Sequence, residues 1–162
     1  GRARDLCRLG AHTRAAATSS TVSVTAGSMR ASFKYPKLYS DLLKLYEYYW
    51  RLHKSLPKTF RFTVGEYILR QLSACLPCVV VANEADRDNE AERQEAANAL
   101  KNAKTNLETA RAFFTLAWEL KLISHQSAAE VNARIDTVAR QAEKWRQWFE
   151  RESAANERTL DR

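Results

Sequence analysis

The feature that most constrains the fold of this chain is the scarcity of glycine and proline after Met29. From Met29 to residue 162 there is one glycine, Gly65, and there are three prolines. Turn-rich β-sandwiches and glycine-rich nucleotide-binding folds need many residues that accept unusual backbone angles, so both classes are excluded. Apolar residues make up 45% of the 162 residues. That composition and length support one domain with a sizeable core.

Two apolar patterns with helical spacing occupy the first half of this domain. The first helix is predicted from about Lys37 to Ser55, because its apolar residues alternate four and three apart and Pro57 stops the chain beyond them. The second is predicted to open with the capping box Thr63-Val-Gly-Glu66, with Phe62 and Tyr67 spaced as a hydrophobic staple. The predicted core residues are Leu38, Leu42, Leu45, Tyr49, Leu52 and Leu56, followed by Val64, Ile68, Leu72, Cys75 and Val79.

Two further helices are predicted in the second half. The third begins near residues 89–93 and ends at about residue 122, and the fourth opens with the capping box Ser127-Ala-Ala-Glu130 and frays over residues 153–162. Their inward stripes are Leu100, Ala103, Leu107, Ala110 and Phe114, then Val131, Ile135, Val138, Ala142, Trp145 and Phe149. A helix that is apolar on two faces must bury both of them. A second stripe on the third helix and one tryptophan beside the fourth seam therefore predict an oligomer interface of Phe113, Leu116, Leu120, Ile123 and Trp148.

Four amphipathic helices with short links predict an all-α fold, an antiparallel up-down-up-down four-helix bundle over residues 29–162. Residues 1–28 carry four arginines and one aspartate and are rich in Ala, Ser and Thr. We expect them to form a disordered N-terminal extension, and a transit peptide is the alternative. The longest apolar run, residues 74–82, is far shorter than the roughly 20 residues of a membrane span. We therefore expect no membrane partner.

Positive charge is concentrated in the first helix and the segment after it. Residues 30–70 hold nine Lys or Arg residues and three acidic residues. Such a field favours a polyanion, most simply RNA or DNA, or an acidic protein surface. Tyr48 and Trp50 flank the basic face and are candidates for stacking on bases, although packing in the core or between subunits is the favoured interpretation. The candidate nucleic-acid-binding residues are Lys44, Arg51, Lys54, Lys58, Arg61 and Arg70.

No group of residues has the spacing of an active site or a metal site. Cys75 and Cys78 form a CxxC sequence, but they fall well inside a predicted helix rather than at its N-terminus, so a structural role is favoured over a redox role. Three cysteines do not make a disulfide framework and fit a reducing cytoplasm. His53 is interpreted as a surface residue. We expect no enzymatic activity, no metal and no cofactor, and a cytoplasmic location.

The stretch Tyr46–Ile68, YEYYWRLHKSLPKTFRFTVGEYI, resembles the accessory variability (Avd) proteins of bacterial diversity-generating retroelements. Their wider kin are the four-helix-bundle proteins encoded in ribosomal-RNA intervening sequences. The resemblance is carried by Ser55-Leu-Pro-Lys58, Arg61-Phe-Thr63 and Gly65-Glu66. It continues in ANEADRDNEAERQEA, in ETARAFFTLAWELKLIS and in a closing helix that contains Trp148, although Arg146 and Gln147 replace small residues common there.

The resemblance implies a homopentamer with a basic surface that associates with the element's reverse transcriptase and with nucleic acid during mutagenic copying. It also implies that Lys58 and Arg61 supply positive charge, that Pro57 ends the first helix, and that Thr63 and Glu66 cap the second. The charge alone leaves a second hypothesis open, a structural or protein-interaction bundle whose basic face meets an acidic protein and which has no nucleic-acid role. A third hypothesis is a small redox or metal protein that uses Cys75 and Cys78.

Overall fold

The computed structural model describes residues 35–160, in which four helices are joined by short turns and no strand is present. Its helices are α1 (Lys37–Ser55), α2 (Lys58–Glu84), α3 (Glu90–Glu119) and α4 (His125–Leu160). The all-α fold class is therefore confirmed. Our predictions for residues 1–28, including the disordered extension, lie outside the described residues.

The core contains the residues that the apolar periodicity predicts. Of the 22 predicted core positions, all are buried except Leu52, Val64 and Trp145, which are half-buried and pack against the same cluster. Tyr49 of α1 meets Phe114 of α3 edge to face, with ring centroids 4.9 Å apart. Burial of these side chains removes apolar surface from water, which is the main favourable contribution to folding.

Pairs of side chains from neighbouring helices show how those helices run. Along α3 and α4, Arg93 contacts Ser153, Lys104 contacts Glu143 and Arg111 contacts Asp136, so partner numbers fall as α3 numbers rise. Cys75 and Ala103 relate α2 to α3, and so do Tyr67 and Phe113. Asp41 and Gln141 relate α1 to α4, and so do Tyr48 and Arg134. Each of these three helix pairs is therefore antiparallel.

The start of α2 differs from the prediction. The helix begins at Lys58, directly after Pro57, and its segment Arg61–Gly65 is π-helical. Thr63 lies inside the helix and its Oγ1 donates to the carbonyl oxygen of Thr59 at 2.8 Å. The predicted capping box at Thr63 is wrong, because a threonine inside a helix bonds back to the preceding turn instead of accepting from a free N–H.

The predicted hydrophobic staple is also absent from this start. Phe62 is 62% exposed and Tyr67 is 53% exposed, so neither ring is buried against the other. A staple brackets a helix entry, whereas both residues here lie beyond the entry at Lys58. The two rings are left on the surface of the protein.

The other two turns are closed by side-chain caps. Asn89 caps α3 by accepting from the backbone N–H groups of Ala91 and Glu92. At the start of α4, Ser124 Oγ accepts from the N–H of Ser127 at 3.0 Å. The predicted box at Ser127 is therefore wrong by one turn, because Ser124 already satisfies the free N–H groups.

The C-terminal ends of α3 and α4 also differ from the prediction. α3 ends at Glu119, and Lys121 takes a left-handed backbone conformation with φ of 58°. α4 continues to Leu160, so the predicted fraying over residues 153–162 is wrong for residues 153–160. The last turns are rich in Glu, Arg and Ala, which favour helix without an apolar stripe.

Only α2, among the helices of residues 35–160, is long and apolar enough by composition to cross a membrane. A core helix of a soluble protein meets the same test. Ile68, Leu72 and Val79 of α2 are fully buried inside the helical domain. The helix also continues past Pro77 to Glu84, as the apolar stripe predicts.

Candidate nucleic-acid interface

The end of α1, the turn after it and the start of α2 form a segment that carries positive charge only. Residues 51–65 contain Arg51, Lys54, Lys58 and Arg61 and no Asp or Glu. Pro57 lies in the middle of this segment, where the chain leaves one helix and enters the next. We call residues 51–65 the basic turn. Its local field attracts anions because no carboxylate within it offsets the charge.

Three of the six candidate cations are held by carboxylates on their own helices. Lys44 lies 3.7 Å from Asp41, Arg51 lies 2.5 Å from Glu47, and Arg70 lies 3.9 Å from Glu66. All three cations remain exposed. A phosphate that binds one of them must compete with an existing partner, so these three contribute less to an anion site than their charge suggests.

The other three candidates, Lys54, Lys58 and Arg61, make no ion pair with any residue between 35 and 160. The ammonium group of Lys54 lies 5.8 Å from the ring centroid of Trp50. That of Lys58 lies 5.9 Å from the ring centroid of Phe62. Trp50 is 45% exposed and Phe62 is 62% exposed, and both lysines are exposed as well. Both rings and both ammonium groups are therefore open to solvent. The structure thus places two exposed cation–aromatic pairs on the basic turn and its flank.

His53 does not lie free on the surface, as the sequence interpretation has it. It is half-buried, its Nδ1 is 3.3 Å from Tyr49 Oη, and its ring lies nearly parallel to that of Trp50 at 6.3 Å. Burial and the nearby charge of Arg61 lower its pKa, while Glu66 opposes this. A lowered pKa favours the neutral imidazole at neutral pH, so His53 acts as a packing residue between α1 and α2.

Tyr49 connects the basic turn to the core. Its hydroxyl donates to the carbonyl oxygen of Gly65 at 3.2 Å, and burial raises its pKa above the ordinary value. The ring itself is fully buried. This bond ties the middle of α1 to the π-helical segment of α2 and holds the two sides of the basic turn together.

Arg134 of α4 joins this surface and was missed by sequence reasoning. With Lys44, Glu47, Tyr48 and Arg51 it lines a shallow depression of about 240 Å³. Its guanidinium lies 4.9 Å from the ring centroid of Tyr48 and forms an ion pair with Glu130 at 2.7 Å. No local pattern signals this contact, because Tyr48 and Arg134 are brought together only by the packing of α1 against α4.

The predicted oligomer residues fall into exposed and partly buried groups. Leu116 is 39% exposed and Leu120 is 55% exposed. Phe113 and Ile123 are half-buried against the core, and the Phe113 ring stacks on that of Tyr67 at 5.9 Å. Leu120 follows the last residue of α3, so the four residues do not form one stripe on a single helix. Of these four residues, Leu116 and Leu120 are therefore the more available for an interface.

Trp148, the fifth predicted interface residue, lies on α4 and away from Leu116 and Leu120. Its ring meets that of Phe149 edge to face at 4.9 Å, and the guanidinium of Arg87 lies 5.4 Å from its centroid. Because Ser153 contacts Arg93 and Glu143 contacts Lys104, Trp148 lies opposite the first third of α3, roughly 25 Å along the helix from Leu116. The structure therefore does not bring Trp148 together with the exposed leucines.

The two cysteines of α2 have the environment of packing residues. Cys75 is fully buried and its thiol donates to the carbonyl oxygens of Gln71 and Ala103. Burial raises the pKa of Cys75 to about 12 and also raises that of Cys78, which is half-buried. A raised pKa leaves the thiol protonated at neutral pH and therefore weakly nucleophilic.

The acidic connection between α2 and α3 is organised around an arginine that sequence reasoning missed. Arg93 is 2% exposed, donates to the carbonyl oxygen of Arg87 and pairs with Glu90. Its Nε also donates to Ser153 Oγ at 3.4 Å. Within residues 35–160, no group of three or more His, Cys, Asp and Glu side chains is arranged to hold a metal ion.

Comparison with known proteins adds no relative. No protein-family model matches the chain, and no curated protein or solved structure matches it.

Proposed function

We propose that this protein is a noncatalytic accessory subunit that binds nucleic acid, and that it serves the reverse transcriptase of a diversity-generating retroelement. The observation that carries the nucleic-acid part is the basic turn, which holds four cations and no Asp or Glu, and in which only Arg51 has a carboxylate partner, Glu47, from outside the segment. Lys54, Lys58 and Arg61 have no carboxylate partner among the described residues; the two lysines are exposed and Arg61 is half-buried, and all three are proposed to meet phosphate. Such contacts are independent of sequence and sensitive to salt.

We propose an up-down-up-down four-helix bundle as the arrangement behind this surface. Its support is the antiparallel register of α1 with α4, α2 with α3, and α3 with α4. The remaining link is the short turn between α1 and α2, which the hydrogen bond from Tyr49 to Gly65 stabilises. A short turn suits two helices that are neighbours in the bundle. A bundle of this kind presents the basic turn at one end.

The retroelement assignment, the reverse transcriptase partner and the pentamer depend on the resemblance of residues 46–68 and later segments to Avd proteins. The structure supplies one feature in keeping with an assembly, the exposed apolar residues Leu116 and Leu120. Large apolar side chains left open to water are typical of interaction surfaces when they lie together. A homo-oligomer gives each assembly several copies of the basic turn, which increases its avidity for a long polyanion.

The salt dependence of binding tests the phosphate contacts directly. We would measure the dissociation constant for an RNA oligonucleotide over a range of salt concentrations, with the wild type and the Lys58→Gln/Arg61→Gln variant. Each phosphate contact adds about 0.7 to 0.9 to the slope of log affinity against log salt, so the variant should lose about 1.5 from that slope.

The matched control is Lys44→Gln/Arg51→Gln, which removes two exposed cations that already have carboxylate partners. It removes the same net charge from the protein but should lower the slope less. An unchanged slope in Lys58→Gln/Arg61→Gln, or an equal loss in both variants, would contradict the assignment of the site.

A second candidate function is a structural bundle whose basic face binds an acidic protein. The observation in its favour is that Lys44, Arg51 and Arg70 are held by carboxylates, which weakens the field available to a polyanion. This function requires an oligomer that does not bind nucleic acid at physiological salt. A wild-type protein that fails to bind RNA in the experiment above, yet remains oligomeric, would favour it.

A further inference from the structure

We propose that the basic turn takes single-stranded nucleic acid, with unpaired bases stacking on Trp50 and Phe62 while Lys54 and Lys58 meet the adjoining phosphates. This inference rests on the proposed nucleic-acid function and adds the class of ligand.

The starting observation is that two large aromatic rings are exposed where the charge is concentrated. Phe62 is 62% exposed and Trp50 is 45% exposed. Both are larger and less polar than a solvent-facing position of a helix requires, and a buried staple does not explain Phe62. Each ring has an unpaired lysine close to it, at 5.9 Å for Lys58 and 5.8 Å for Lys54.

The ring–lysine pairs match the two chemical parts of a single strand. An unpaired base offers a flat face that stacks on an aromatic ring, whatever its sequence, and the next phosphate offers a negative charge. In a duplex the base faces are covered by neighbouring base pairs, so an exposed ring adds nothing to phosphate contacts. Lysine is a suitable partner here because its long stem lets the ammonium group move from the ring to a phosphate.

His53 holds the two sides of this site in a fixed relation. The ring of Trp50 lies nearly parallel to that of His53, at 6.3 Å between centroids. His53 in turn lies against Gly65, in the helical segment that carries Phe62. One ring therefore comes from α1 and the other from α2, and the contacts of His53 connect them. Because these contacts already fix the protein backbone, little of its conformational freedom is lost when a nucleic-acid strand binds.

Tyr67 offers a matched comparison within the same helix. It is 53% exposed and has Arg70 at 5.7 Å from its centroid, but its ring stacks on Phe113 and Arg70 is paired with Glu66. The Trp50 ring also stacks on Tyr46 and His53, so the difference lies in the cation: Arg70 already has a carboxylate partner, whereas Lys54 has none among the described residues. We therefore exclude Tyr67 from the site, although by exposure alone it resembles the other two.

The test compares binding of single-stranded RNA and of duplex RNA of the same length by the full chain. The variants are Trp50→Leu/Phe62→Leu, Phe62→Leu alone and Tyr67→Leu. Base stacking on one ring corresponds to about fivefold or more in affinity, so the double variant should lose about 25-fold or more for the single strand. Its salt slope and its affinity for duplex should not change, because the lysines remain.

Phe62→Leu alone keeps the test informative if removal of Trp50 disturbs its neighbour His53. It changes only an exposed ring and should lose about fivefold for the single strand. Tyr67→Leu should stay within about twofold of the wild type.

Three results would overturn the inference. They are unchanged single-strand affinity in both Phe62 variants, equal losses for single strand and duplex, and a loss in Tyr67→Leu as large as in Phe62→Leu. A wild type that binds neither RNA would overturn the proposed function as well. That result is distinguishable because it does not depend on any variant.

Discussion

The imidazole ring of His53 occupies the space in which a side chain on residue 65 would stand. A Cβ atom on Gly65 would lie 2.8 Å from Cε1 of His53 and 2.9 Å from its Nδ1. The backbone of Gly65 is ordinary right-handed helix, with φ of −60°. The glycine is therefore needed for the close approach of α1 and α2 and not for its conformational freedom. This approach sets the geometry of the basic turn.

The first prediction concerns Gly65→Ala. Alanine favours helix by about 0.5–1 kcal/mol over glycine, but overpacking costs about 1–3 kcal/mol. We therefore expect a net loss of about 1 kcal/mol or more in the free energy of unfolding, measured by urea denaturation. In a His53→Ala background the space opens and most of that loss should disappear. An equal loss in both backgrounds would show that the contact with His53 is not the constraint.

The second prediction concerns the buried Arg93. Arg93→Met keeps an apolar stem but removes the donors to Arg87, Glu90 and Ser153. We expect the free energy of unfolding to fall by about 2 kcal/mol, since the Arg87 carbonyl loses a charged hydrogen-bond donor and Glu90 loses its ion-pair partner. Faster amide exchange in residues 85–89 should accompany it. Arg151→Met, at an exposed position of α4, should change stability by less than about 0.5 kcal/mol. Equal stability of the two variants would contradict the role of Arg93.

The third prediction is a dependence on acid pH. Hydrogen bonds from Arg146 are the main reason that the pKa of Glu143 falls from 4.5 to about 2, with Gln147 and Lys104 adding to the effect. A carboxyl group whose pKa is lowered by folding adds stability above its unfolded pKa and loses it as pH falls through the folded value.

The measurement is the difference in unfolding free energy between the wild type and Glu143→Gln. The difference should be about 1 kcal/mol at neutral pH, because the group is mostly but not fully buried, and should shrink between about pH 4.5 and pH 2. Glu152→Gln, at an exposed site, is the control and should show little difference at any pH. A difference for Glu143→Gln that is constant down to pH 2 would refute the ion-pair explanation.

The fourth prediction concerns the exposed leucines. Leu116→Glu/Leu120→Glu should convert the proposed oligomer to a smaller species without loss of helix, because both side chains are already open to solvent in the single chain. Leu43→Glu also charges an exposed leucine, 41% exposed on α1, and should leave the oligomer intact. Sedimentation velocity measures the size of both variants. A Leu116→Glu/Leu120→Glu variant that keeps the wild-type size would show that these leucines are not part of an interface.

The helices and their inward residues could be predicted because apolar periodicity is a local signal that survives tertiary packing. The residues at which the helices begin could not be predicted in the same way. The boxes at Thr63 and Ser127 match the sequence rule, but the helices had already started at Pro57, nearly two turns earlier, and at Ser124, about one turn earlier. A short box is not selective, since the same letters inside a helix make different hydrogen bonds.

The candidate site could be predicted in its charge but not in its geometry. Asp41, Glu47 and Glu66 lie three or four residues from Lys44, Arg51 and Arg70, a spacing that predicts ion pairs within a helix. Lys54, Lys58 and Arg61 have no acidic residue at that spacing, so this signal was present in the sequence. The contacts of Arg134 and Arg93 join distant parts of the chain, and no local pattern reports them.

The central claim is that the chain forms an oligomer whose basic turns bind nucleic acid through phosphate contacts. Light scattering coupled to size-exclusion chromatography tests it most directly, with the full chain alone and with single-stranded RNA. Three phosphate contacts in each copy correspond to about a 20-fold loss of affinity between about 50 and 200 mM salt. We expect an oligomer that shifts to higher mass with RNA at the lower salt and returns to its own mass at the higher salt. A monomer, or an oligomer whose mass is the same with and without RNA at low salt, would contradict the claim.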